Sequence, residues 1–100
     1  MKYISTKNKS EEHALETALR LGLAKDGGLF VPSFFPLVYD ELKSFSTNYP
    51  DFAQQVFAPF FEGSALEPYL QEICEKTFTF DLPLRYLDDT KETGLLELFW

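Results

Sequence analysis

A chain of 100 residues, with sixteen acidic side chains against nine basic ones and a net charge of −7, is one small domain by length and buries only roughly 60–70% of its unfolded surface. Its basic residues are scattered apart from Lys2, Lys7 and Lys9, which excludes the concentrated positive surface that nucleic acid requires. No apolar run approaches the roughly 18 residues of a membrane span, and no apolar signal core opens the chain, so a cytoplasmic protein with no membrane partner is expected.

Tyr3 to Thr6, "YIST", has the aromatic and β-branched content of a short strand. The polar "KNKS" ends it, and Ser10 is placed to cap a helix whose first turn holds Glu11 and Glu12 at the positive end of the dipole. Ala14, Leu15, Ala18 and Leu19 then line one face through to Leu21, and Gly22 is the expected left-handed terminator. Asp26-Gly27-Gly28 is a strong turn signal, because glycine reaches positive φ without a steric penalty. Leu29 to Val31 should follow as a strand, interrupted on one side by Pro32. The simplest layout pairs this strand with "YIST" and lays the helix across the pair.

"PSFFP" reads as a rigid aromatic link, and Val38, Leu42 and Phe45 have the spacing of a short helical segment. Pro50 suits the first turn of a further helix, along which Phe52, Ala53, Val56, Phe57, Phe60 and Phe61 make a bulky apolar stripe. Pro59 predicts a kink or break near Phe57 or Ala58. A last helix opens near Glu67-Pro68, with Leu70, Ile73, Cys74 and Thr77 on one face and Ser64 at capping-box spacing from Glu67. "FTFDLPLRYL" is expected to be extended, "DDTKETG" to turn, and Leu95 to Trp100 to form a buried strand. A run so apolar at the final residues is a sticky edge for a free-standing domain, and points to a leading portion whose covering segments follow.

The chemistry-bearing residues resolve mainly into structural roles. Cys74 is the only cysteine and His13 the only histidine, so neither a disulfide nor a Cys/His metal site can be assembled; Cys74 reads as a buried small hydrophobe and His13 as a half-buried or surface imidazole. Gly22, Gly27 and Gly28 follow a helix and precede a strand, the reverse of a dinucleotide fingerprint, and no Gly-Lys-Ser/Thr accompanies them. Glu11-Glu12 and Asp88-Asp89 lie in polar stretches that water can reach and read as solvated surface, whereas Glu97, set between leucines, would need a partner if buried. Ser5, Thr6 and Lys7 form a polar cluster with two readings, turn capping and anion contact.

Three stretches, in order, resemble the N-terminal end of the threonine synthase family, pyridoxal-phosphate enzymes of the second fold type. "YISTK" is similar to the family's opening Tyr-x-Ser-Thr-Arg-Gly, with Asn8 in place of the glycine. "GLAKDGGLFVP" resembles its Gly-Leu-Ala-x-Asp-Gly-Gly-Leu-Tyr/Phe-Val-Pro, and "LLELFW" its Leu-Glu-Leu-Phe-His-Gly-Pro-Thr, with Trp100 in place of histidine. The elements read along the chain make an α+β, mostly helical fold with a short N-terminal strand pair and three or four helices, a single domain over residues 1–100, and the resemblance agrees with it. The resemblance implies a share in converting O-phospho-L-homoserine and water to L-threonine and phosphate. The family's pyridoxal-phosphate lysine lies beyond "LELF", so no catalytic, cofactor-binding or metal residue is assigned here, and the fragment is expected to be inactive alone. Its expected partners are the remaining catalytic domains, or a second copy of itself through the uncovered apolar side. The alternative is a small acidic helical interaction module that offers Phe52, Val56 and Phe60 to a partner helix.

Overall fold

A computed structural model describes residues 1–37, 41 and 44–98. Strand β1 (Tyr3–Ser5) is central in a three-stranded antiparallel sheet, between β2 (Asn8–His13) and β3 (Phe30–Pro32). The β1–β3 register sets Tyr3 opposite Pro32, Ile4 opposite Val31 and Ser5 opposite Phe30. This is the pairing that the two strand-like runs predict. Pro32 cannot donate to the ladder, and the Ser33 amide does so instead, reaching the Lys2 carbonyl at 2.8 Å.

The segment from Ser10 to His13 departs from the predicted helix: it makes up the last four of the six residues of β2. Tyr3 pairs with His13, Ile4 with Glu12 and Ser5 with Asn8, with an irregularity between Ile4 and Ser5. Ser10 does not cap; its hydroxyl donates to Asn8 Oδ1 at 2.7 Å. A cap is worth about 1 kcal/mol, whereas pairing along β1 satisfies several backbone groups at once. The charged side chains of β2 face solvent on the sheet edge, where they discourage further pairing. Helix α1 (Leu15–Leu21) therefore begins later, buries Leu15 and Ala18, and leaves Leu19 exposed. Gly22 ends it at φ 72°, with its amide on the Ala18 carbonyl at 2.9 Å.

Val38 and Leu42, from the predicted helical segment before Phe45, lie outside the described residues. Helix α2 (Tyr49–Phe61) starts where Asn48 Oδ1 accepts from the Asp51 amide at 3.2 Å, with Pro50 in the first turn. It runs through Pro59 to Phe61 without the predicted break, since the proline falls in the last turn, where only one intrahelical bond is lost. A 3₁₀ turn (Glu67–Tyr69) leads into α3 (Leu70–Thr77). The reciprocal capping box does not form: the Glu67 carboxylate accepts from the Gly63 amide, while the Ser64 hydroxyl donates to the Phe61 carbonyl.

Two small clusters make the core. Tyr3, Leu15 and Ala18 pack with Met1, Phe30 and Phe61; Ala53, Leu70 and Cys74 pack with Phe61 and Phe78. Phe61 belongs to both and joins the sheet layer to the helical pair. Tyr3 reinforces the joint by donating its hydroxyl to the Phe60 carbonyl at 2.7 Å, and burial raises its pKa. The Cys74 thiol, 1% exposed, is also pushed up by burial and stays protonated and inert.

Strands β4 (Leu84–Tyr86) and β5 (Gly94–Leu96) form a separate antiparallel ribbon, with Leu84 opposite Leu96 and Arg85 opposite Leu95. Here the expectation of a buried strand over residues 95–100 is overturned. Leu95, Leu96 and Leu98 are exposed while Glu97 is buried, because a two-stranded ribbon has no second layer to cover its faces. Phe99 and Trp100 lie outside the described residues. The architecture is α+β, but helices of 7, 13 and 8 residues leave most of the described chain non-helical, contrary to the mostly helical expectation. The Cα radius of gyration, 16.7 Å, exceeds the about 13 Å of a compact 100-residue domain.

Candidate functional site

The motif that concentrates glycine builds a polar clasp between β1 and the turn that enters β3. Ser5, 3% exposed, donates its hydroxyl to Asp26 Oδ1 at 2.7 Å, and the Gly28 amide donates to the same oxygen at 2.8 Å. The Lys7 amide donates to Ser5 Oγ at 3.1 Å, and the Leu29 amide to Thr6 Oγ1 at 3.0 Å. Gly27 takes φ 84°, which lets the chain reverse while the Ala24 amide reaches the Gly28 carbonyl at 3.0 Å. Both hydroxyls are thus committed to the turn, and a carboxylate occupies the place an anion would take. Of the two readings of Ser5, Thr6 and Lys7, the geometry supports turn capping.

Hydrogen bonds from Ser5 and then from the Gly28 amide, with Lys7 nearby, hold the Asp26 carboxyl below its ordinary value of 3.8. A carboxylate whose folded pKa lies below its unfolded one adds stability above the unfolded value and loses it as pH falls through the folded value. Urea midpoints of the chain should therefore decline on acidification below the ordinary aspartate range. Asp26→Asn should flatten that part of the profile; an unchanged profile would show that the clasp does not depend on the charge.

Beside the clasp, a cleft of about 490 Å³ is lined by His13, Thr17, Arg20, Lys25, Asp26 and Ser5 among others. Serine, histidine and aspartate lining one cleft invite comparison with a hydrolase triad, which needs an imidazole between hydroxyl and carboxylate. That order is absent here. Ser5 donates directly to Asp26, while His13 lies 3.7 Å from Glu11 and edge-on to Phe30 at 5.2 Å. A second hollow of about 590 Å³ is walled by Phe45, Tyr49, Phe52 and Phe80. Glu11, Glu12, Asp88 and Asp89 are exposed, as solvated carboxylates should be. Among the described residues no group of three His, Cys, Asp or Glu side chains is placed to hold a metal, and no helix is long and apolar enough to cross a membrane.

The ribbon presents two unlike faces. Strand alternation sets Leu84, Tyr86, Leu96 and Leu98 on one side and Arg85, Leu95 and Glu97 on the other, with Leu96 48% exposed. Phe34, Phe35 and Leu37, which follow β3, are also exposed.

The family described as Threonine synthase N terminus matches residues 2–78. The chain belongs to that family. It is 37% identical to a threonine synthase of Pseudomonas aeruginosa and 29% identical to that of Buchnera aphidicola, with 99% of this chain aligned in each case and 22% and 23% of those proteins. Its fold is similar to a PLP-bound threonine synthase from Brucella melitensis, with a TM-score of 0.81 at 30% identity over 99% of this chain and 22% of that one. The chain thus spans less than a quarter of the length of the threonine synthases it matches. The described residues do not fit pyridoxal phosphate: every lysine among them is exposed, and a Schiff-base lysine is activated by desolvation in an apolar pocket or by a neighbouring cation.

The turn is legible in the residue types and its clamp is not. An aspartate two residues before the amide it binds is a recognisable Asx turn, so the Asp26–Gly28 contact had a local signal. The Ser5–Asp26 bond spans 21 positions and had none.

Proposed function

We propose that this chain is the N-terminal domain of a threonine synthase, acting as part of a longer polypeptide whose other domains carry the catalytic groups. The whole enzyme converts O-phospho-L-homoserine and water to L-threonine and inorganic phosphate. Pyridoxal phosphate, bound by those other domains, supplies the electron sink that such chemistry at an amino acid carbon requires. The observation that carries this reading is the family match over residues 2–78. The exposed apolar ribbon and the exposed Phe34 and Phe35 support a domain that packs against others.

The test is phosphate release from O-phospho-L-homoserine by the complete gene product beside the 100-residue chain. The complete product should turn over and the chain should not. The chain alone should bind an apolar dye and form no saturable adduct with pyridoxal phosphate. A complete product that leaves the substrate intact, or a chain that binds the cofactor at one lysine, would overturn the reading.

A further inference from the structure

Asp26-Gly27 is the only Asp-Gly or Asn-Gly step in the chain, and both residues are open to solvent. Such a step is prone to react with itself, because a glycine after the aspartate has no Cβ to shield its amide nitrogen. That nitrogen attacks Cγ of the protonated carboxyl: a Cγ–N bond forms, a Cγ–O bond breaks, and water leaves with the hydroxyl oxygen and the amide proton. Water then reopens the cyclic imide. Cleavage at Cγ–N restores aspartate, whereas cleavage at the main-chain carbonyl leaves isoaspartate, with the backbone rerouted through Cγ. No oxidant or reductant takes part.

We propose that Asp26-Gly27 is a latent isoaspartate site, and that the clasp between β1 and the turn keeps it latent by holding both reacting groups. The nucleophile is engaged, since the Gly27 amide donates to the Ala24 carbonyl at 2.9 Å. So is the electrophile. Asp26 Oδ1 accepts from Ser5 Oγ at 2.7 Å and from the Gly28 amide at 2.8 Å, and both bonds favour the carboxylate, which has no hydroxyl to lose. The same bonds hold the carboxyl below its ordinary value. Ser5 is buried, so water does not compete for its hydroxyl. Reaction therefore awaits an opening in which β1 releases the turn, and its rate is the open fraction multiplied by the rate in a free chain. Isoaspartate lengthens the backbone by one carbon and shortens the side chain by one. Its carboxylate leaves the register of Ser5 and the Gly28 amide, and the clasp does not re-form on the converted chain.

The experiment ages the complete gene product, its Ser5→Ala and Leu70→Ala variants, and a synthetic peptide of residues 21–32 side by side at neutral pH. Isoaspartate at position 26 is counted with an endoprotease that cuts before aspartate but not before isoaspartate. The folded protein should isomerise at least about tenfold more slowly than the peptide, the equivalent of about 1.4 kcal/mol of opening free energy. Ser5→Ala should recover most of that factor. Leu70→Ala, which loosens the helical core and leaves the bonds of the clasp in place, should stay near the wild-type rate. A folded protein that isomerises as fast as the peptide overturns the proposal without recourse to any variant. A Ser5→Ala protein that ages no faster than wild type overturns it too. So does a Leu70→Ala protein that ages as fast as Ser5→Ala, since the protection would then come from folding in general and not from the clasp.

Discussion

Replacing Gly28 with alanine is expected to destabilise the chain by about 2–4 kcal/mol, the sum of overpacking and broken hydrogen bonds. A Cβ at that position would stand 2.3 Å from Ser5 Oγ, 2.9 Å from Thr6 Oγ1 and 3.0 Å from Asp26 Oδ1. All three atoms belong to the clasp, so the methyl group cannot be accommodated without turning at least one hydroxyl away from its partner. Ser5 is enclosed and has no solvent to turn toward. Gly63→Ala is the control: at φ 77° with nothing within 4 Å of its added Cβ, it carries only the left-handed backbone penalty of about 1–2 kcal/mol. Denaturant midpoints of the two variants decide the matter. A Gly28→Ala variant no less stable than Gly63→Ala would mean that the hydroxyls can leave the turn freely.

That glycine shows how far the chain could be read from residue types. Strands β1 and β3 were legible because aromatic and β-branched residues flank a turn that only Asp-Gly-Gly makes easily. Strand β2 was not, since five of its six residues face solvent and their contribution is made by backbone groups, which no side-chain pattern announces. Ser10, Glu11 and Glu12 meanwhile spelled a helix start, and the pairing along β1 overrode it. Helices α2 and α3 were visible as apolar stripes, yet their partner choice rests on Ala53, whose small side chain lets Leu70 and Cys74 approach. At the ribbon the same reasoning inverted inside and outside. Leucines alternating with a glutamate imply a buried apolar face, but burial needs a facing layer, and among the described residues none lies over Leu84 and Leu96. The apolar character of the final residues was legible in the sequence, whereas the enclosure of Glu97 has no signal in residue types.

Leu70→Ala is expected to cost about 2–4 kcal/mol, the range for emptying a leucine site in a closed core. Leu70 is 4% exposed and packs with Ala53 and Cys74 beneath Phe61 and Phe78. Alanine at position 53 leaves no longer side chain to swing into the void, so little collapse can offset the loss. Because Phe61 also packs on the cluster of Tyr3, Leu15 and Ala18, the damage should reach the sheet and appear as one cooperative shift in denaturant midpoint. Leu96→Ala offers the functional contrast. With its side chain about half in water, that change should move the midpoint of the 100-residue chain by less than about 0.5 kcal/mol. In the complete enzyme, once the proposed covering surface is in place, its loss should rise toward that of Leu70→Ala. Equal losses at the two leucines in the 100-residue chain would show that the ribbon already has a layer over it, and the case for a docking face there would end.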